Sequence, residues 1–115
     1  MAKRQNPEYE LQKQVVEYLK LRQLLFCASA GGMRTNMLTA IKMKKAGYIK
    51  GFPDIFIYET TEKYSGMAIE LKSEKGKLSD EQKEWGKQLM VNGYYYIMGN
   101  NFYEIVKEID AYLLS

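Results

Sequence analysis

The sequence predicts an α/β fold in which a mixed β-sheet is flanked by α-helices. Three observations carry that expectation. Apolar residues recur at helical spacing behind recognisable helix-start signals. Two short β-branched and aromatic runs lie close together in mid-chain, and a third such run follows a later helix. Strands interleaved with helices pack most simply as a sheet with helices laid against it.

Asn6-Pro7 marks the first helix start, with Asn6 as N-cap and Pro7 in the first helical position. Leu11, Val15, Tyr18, Leu19 and Leu25 then recur at helical spacing, so this helix is expected to reach about Leu24. The stretch Ala28 to Arg34 contains Gly31-Gly32 and reads as a loop, as plain turn chemistry rather than a phosphate cradle. Asn36 to Ala46 is a second helix stopped by Gly47. Gly51-Phe52-Pro53 breaks the pattern. Asp54 to Tyr58 and Met67 to Lys72 are strands joined by the polar turn Thr60 to Gly66, and they are expected to form an antiparallel hairpin. Ser79-Asp80-Glu81-Gln82 has capping-box spacing and opens a third helix, with Trp85 and Leu89 on its buried face and Gly93 at its end. Tyr94 to Met98 is a third strand. Asn101 and Glu104 repeat the cap spacing ahead of a last helix that turns Ile105, Ile109 and Leu113 to the core.

With 115 residues, 46% hydrophobic and 27% charged, the chain suits one globular domain over residues 1–115. A core this small is marginal alone, so a homodimer is expected. The sequence contains no histidine and a single cysteine, Cys27. That excludes histidine acid–base chemistry, Cys/His zinc centres, Ser-His-Asp triads and an intrachain disulfide. Cys27 lies in an apolar stretch and reads as a small core residue. The N-terminus lacks the apolar run of a signal peptide, and no stretch approaches the ~20 apolar residues that span a bilayer, so a cytoplasmic protein is expected.

The net charge of +3 is modest, and its distribution says more. Lys42, Lys44, Lys45 and Lys50 cluster ahead of Gly51-Phe52-Pro53-Asp54, Arg34 lies upstream, and no acid occurs between Asn36 and Pro53. This is either a solvated helix face or a surface that contacts phosphates.

The chemistry is expected at Asp54, Glu70 and Lys72. Strand side chains alternate, so Glu70 and Lys72 share a face and Leu71 takes the other. Pairing the two strands brings Asp54 beside Glu70. Two adjacent carboxylates repel, and a divalent cation removes that repulsion. Oxygen ligands select Mg²⁺ or Mn²⁺. Such an ion activates water and polarises a phosphoryl oxygen, while Lys72 steadies developing negative charge. The bland alternative is a surface ion pair of little energetic consequence. Glu8, on the face of Leu11, Gln12 and Val15, is either a fourth member or an acid placed for the helix dipole.

Taken together, the motifs resemble the PD-(D/E)XK nuclease superfamily and, within it, the virus-type replication-repair nuclease (VRR-NUC) family. The carrying segments are Glu8-Tyr9-Glu10-Leu11-Gln12, Gly51-Phe52-Pro53-Asp54, Glu70-Leu71-Lys72 and Gly76-Lys77-Leu78-Ser79 with Gln82. Trp85, Leu89 and Gly93-Tyr94 follow in family order. The resemblance implies a PD-(D/E)XK-like core. It also implies metal held by Asp54, Glu70, the backbone of Leu71 and Glu8, with Glu10 as the fallback acid. Lys72 is then placed near the attacking water, and Gln82 beside the site, where capping of Ser79 is the competing role. Stand-alone members of the family are often dimeric endonucleases of branched DNA such as four-way junctions, and many are phage-encoded.

Arg34, Lys42, Lys45 and Lys50 are the expected DNA contacts, with Ser29 as a further candidate. Tyr94, Tyr95 and Tyr96 alternate in direction and read as packing rather than base stacking; the methionines read as core filler. The competing function is a non-catalytic nucleic-acid-binding module. An assembly subunit and a sequence-specific restriction enzyme stand further off, the latter because the chain leaves little room for a reading element.

Overall fold

The computed structural model describes residues 7–29 and 36–115. Within them run α1 (Pro7–Leu21), β1 (Phe26–Ala28), α2 (Met37–Lys45), β2 (Ile55–Ile57), β3 (Met67–Leu71), α3 (Asp80–Val91), β4 (Tyr95–Gly99) and α4 (Phe102–Leu113). The strands form one mixed sheet in the order β1-β2-β3-β4. β1, β2 and β3 are antiparallel neighbours, and β4 runs parallel to β3 after the α3 crossover. The expected mixed sheet with flanking helices is therefore present, with the β2–β3 hairpin in place.

One sheet face carries the core. Ile55, Ile57, Met67, Ile69 and Leu71 pack there against Leu11, Val15 and Leu19 of α1 and Ile105, Ile109 and Tyr112 of α4. Residues one turn apart along each helix supply that stripe, as an amphipathic helix requires. The other face lies under α3. There Tyr96 sits beneath Gly86, where a Cβ would come within 2.5 Å of the ring. The tyrosine triplet alternates as expected. Tyr95 joins Tyr64 and Tyr112 on the core side, while Tyr94 meets Phe56 edge-on with centroids 5.4 Å apart.

The caps follow the sequence signals. Asn36, Ser79 and Asn101 each accept a hydrogen bond from the backbone N–H three residues on, and Ser79 with Gln82 completes the capping box. Asn6 and Gly31-Gly32 lie outside the described residues.

Four local expectations are corrected. α1 ends at Leu21 rather than near Leu24, because Gln23 turns into the left-handed region at φ 56°. Leu25 is consequently exposed, not core. Ala28 ends a strand, Phe26–Ala28, rather than opening the loop, and Cys27 is exposed on this edge strand rather than in the core. Trp85 and Leu89 are only half-buried, and the buried residue of α3 is Gly86. Leu113 lies at the margin of the core, and Tyr112 takes the inner place.

α2 stands apart: it buries none of its residues, and Met37 and Leu38 are 78% and 73% exposed. Among the described residues no helix is long and apolar enough to cross a membrane.

The approach to β2 depends on Gly51. Its φ is +96°, and a Cβ there would lie 2.7 Å from the backbone of Glu81. No L side chain fits that combination of handedness and contact. Gly51→Ala is expected to lower stability by about 1–3 kcal/mol, the scale of a strained backbone site. Urea denaturation of the variant beside the parent measures it.

Candidate active site

Pro53 is fully buried, and Asp54 follows it at the mouth of β2. The Asp54 carbonyl accepts the Ser29 N–H at 2.7 Å, tying the segment to the end of β1. Its Oδ2 accepts the Leu71 N–H at 2.7 Å, which fixes the carboxyl against β3. Ile55 pairs with Ile69, so the antiparallel register carries Asp54 alongside Glu70. Leu71 points into the core, and Glu70 and Lys72 take the α3 side, as strand alternation requires.

Glu70 is 2% exposed, the one buried charged residue among those described. Gln82 reaches it from α3, with Nε2 donating to Glu70 Oε1 at 2.5 Å. The other end of the same amide accepts the Ser79 N–H at 2.8 Å. Gln82 therefore holds both places between which the sequence leaves it open: it caps α3 and orients Glu70. With both carboxyls ionised, Glu70 Oε2 is buried without a hydrogen-bond partner among the described residues; a proton on one of them lets the Asp54 and Glu70 side chains share a hydrogen bond.

The electrostatics follow from burial. Desolvation, then the adjacent Asp54, pushes the Glu70 carboxyl up to about 8, against the opposing pull of Lys72. Desolvation also raises Asp54. The Leu71 N–H and Lys72 hold it down, while Glu8 adds to the upward push. Of the two first-helix acids, Glu8 reaches the site edge, where its Oε1 accepts the Ser73 N–H at 3.1 Å. Glu10 instead faces solvent and pairs with Lys13 at 3.3 Å.

Among the described residues no three acidic, His or Cys side chains close around one point in the manner of a preformed cage. The site offers a carboxylate pair, one oxygen of it unpartnered, and the Leu71 backbone beside it. That donor set fits a hard divalent cation that keeps much of its own water, which is how Mg²⁺ is commonly held.

Lys42, Lys44 and Lys45 are exposed on α2, and Lys50 is exposed with its ammonium 3.8 Å from Glu81. Arg34 lies outside the described residues. A groove of about 650 Å³ lies between Ile49-Lys50 and α3, floored by Trp85 and rimmed by Asp80, Glu81 and Glu84. The indole N–H donates to the Lys50 carbonyl at 3.2 Å. Its acidic rim makes the groove a poor phosphate site.

Two tyrosines that the sequence did not single out for the site face it. The negative charges of Glu70 and Asp54 act on both Tyr48 and Tyr96, adding to burial in raising their phenols. For Tyr96 the signal was available: alternation puts it on the face of Tyr94, and only the parallel β3–β4 register brings that face to Glu70.

Comparison with known proteins bears on the family and the fold. A family model described as the VRR-NUC domain matches residues 1–99. A solved structure named "VRR_NUC domain protein" superposes with a TM-score of 0.80 at 24% identity, over 97% of this chain and 92% of that one. No curated protein matches the chain significantly.

The raised Glu70 sets a pH dependence. Its folded pKa exceeds the usual carboxylate value, so the folded protein binds more protons than the unfolded chain between about pH 4.5 and about 8. Stability of the metal-free protein therefore falls as pH rises through that window and levels above it. Glu70→Gln is expected to flatten the slope, read from thermal melts in EDTA between pH 5 and pH 8.5.

Proposed function

Because the chain belongs to the VRR-NUC family of nuclease-type domains, we propose that it is a Mg²⁺- or Mn²⁺-dependent, structure-specific endonuclease that hydrolyses phosphodiester bonds in branched DNA, a four-way junction or a flap. The observation that carries this reading is the pairing of half-buried Asp54 with buried Glu70, which retains one carboxylate oxygen unpartnered when both are ionised, beside Lys72. In this reading Asp54, Glu70 and the Leu71 carbonyl hold the ion, and Glu8 adds negative charge from the edge. A bound Mg²⁺ or Mn²⁺ polarises a phosphoryl oxygen and lowers the pKa of water. Lys72 stabilises the negative charge that builds on the phosphate and positions the attacking water. Gln82 keeps Glu70 in one orientation. Lys42, Lys45 and Lys50, with Arg34, contact DNA phosphates, which steer and register the duplex rather than read its sequence.

The same reading includes a homodimer, which presents two sites for paired incision. α2 supports it, since Met37, Leu38 and Ile41 are exposed beside Lys42, Lys44 and Lys45. Met37, Leu38 and Ile41 match the apolar lining, Ile49 and Trp85, of the groove beside α3, which leaves Lys42 and Lys45 to the DNA. The exposed thiol of Cys27 suits a reducing compartment, in keeping with a cytoplasmic enzyme.

A panel of junction, flap and linear duplex substrates with Mg²⁺, Mn²⁺ or EDTA tests the activity. Cleavage of branched forms is expected only with metal, and Asp54→Ala is expected to reduce it by at least about 10²-fold. Metal-independent cutting contradicts the mechanism. Salt-sensitive binding without cleavage under any metal assigns the chain to the non-catalytic binding alternative. Sedimentation is expected to give a dimer that Ile41→Glu converts to monomer.

A further inference from the structure

Among the described residues two side-chain polar atoms are buried without a hydrogen-bond partner: Glu70 Oε2 and the Tyr96 hydroxyl. Native proteins seldom leave such atoms unpaired, and those that stay so mark a bound water, an ion or a catalytic role. The two belong to one face of the sheet. Tyr96 stands opposite Ala68 in the parallel pairing of β4 with β3, and Ala68 and Glu70 project to the same side.

The phenol is held firmly. Gly86 of α3 lies so close over its ring that even a methyl group would be excluded. Burial and the charges of Glu70 and Asp54 keep its proton on, so it remains a donor throughout the neutral range. A rigid donor thus faces the acid pair, while no direct bond joins it to either acid. A water between them would satisfy both, and a hard divalent cation would bring one, because such an ion retains hydration water.

We propose that Tyr96 is a positioning residue of the acid site, its hydroxyl donating to a water in the hydration shell of the cation held by Asp54 and Glu70. The proposal rests on the divalent-ion reading above. Partners of this outer kind commonly change metal affinity by 10–100-fold.

A merely structural Tyr96 makes the opposite forecast. Replacing it by phenylalanine keeps the ring under Gly86 and removes an unsatisfied buried hydroxyl, so stability rises and nothing else changes. The experiment titrates Mn²⁺ into the full chain, following free ion by electron paramagnetic resonance, and melts the same samples in EDTA. Tyr96→Phe is expected to melt at or above the parent and to bind Mn²⁺ about tenfold more weakly. Tyr94→Phe, on the same strand and face but packed on Phe56, is expected to bind as the parent does. Parent-like affinity in Tyr96→Phe overturns the proposal, and so does an equal loss in Tyr94→Phe. Failure of the parent itself to bind Mn²⁺ overturns the divalent-ion reading and this inference with it.

Discussion

Two carboxyl groups held side by side, one buried and one half-buried, are the constraint around which this molecule is arranged. Asp54 and Glu70 come from neighbouring antiparallel strands, and the register leaves them no way to part. In bulk water such a pair would simply ionise and tolerate the repulsion. Beneath α3 the low dielectric amplifies the repulsion and penalises each charge separately. The protein relieves part of that load with an N–H from Leu71, an amide from Gln82 and the ammonium of Lys72. The remainder makes the site receptive to positive charge.

The surrounding fold reads as support for that pair. The antiparallel hairpin sets which residues lie opposite, and the parallel fourth strand brings a tyrosine under the acids. α3 closes over the polar face while α1 and α4 close over the apolar one. The division of labour is sharp: one side of the sheet buries aliphatic side chains throughout, and the other buries charge. Sheet faces diverge in this way because successive side chains cannot share a side.

Much of this was legible in the residues. Caps at Asn36, Ser79 and Asn101 announce their helices, because each side-chain oxygen satisfies a backbone donor that only a helix start leaves free. The hairpin and the Asp54–Glu70 pairing follow from alternation and one turn. β1 was not legible. Phe26-Cys27-Ala28 is three residues long, too short for any period to emerge, and its identity as a strand comes from pairing with β2. Cys27 shows a related limit: an apolar neighbourhood in sequence is no guide to exposure on an edge strand. The α2 helix is legible from its Asn36 cap, but among the described residues it buries none of its apolar side chains. The sequence alone does not divide cap from site for Gln82, and its amide serves both.

That double employment narrows what position 82 can tolerate. A capping box accepts glutamate as readily as glutamine, since either presents an oxygen to the Ser79 N–H. Only the amide also carries a donor for Glu70. Glutamate would preserve the helix but set a further acid against Asp54 and Glu70, adding to the repulsion that already raises both. The helix alone would permit either residue; the neighbouring carboxyl removes one, leaving a neutral side chain of this length as the shape through which the sequence can drift.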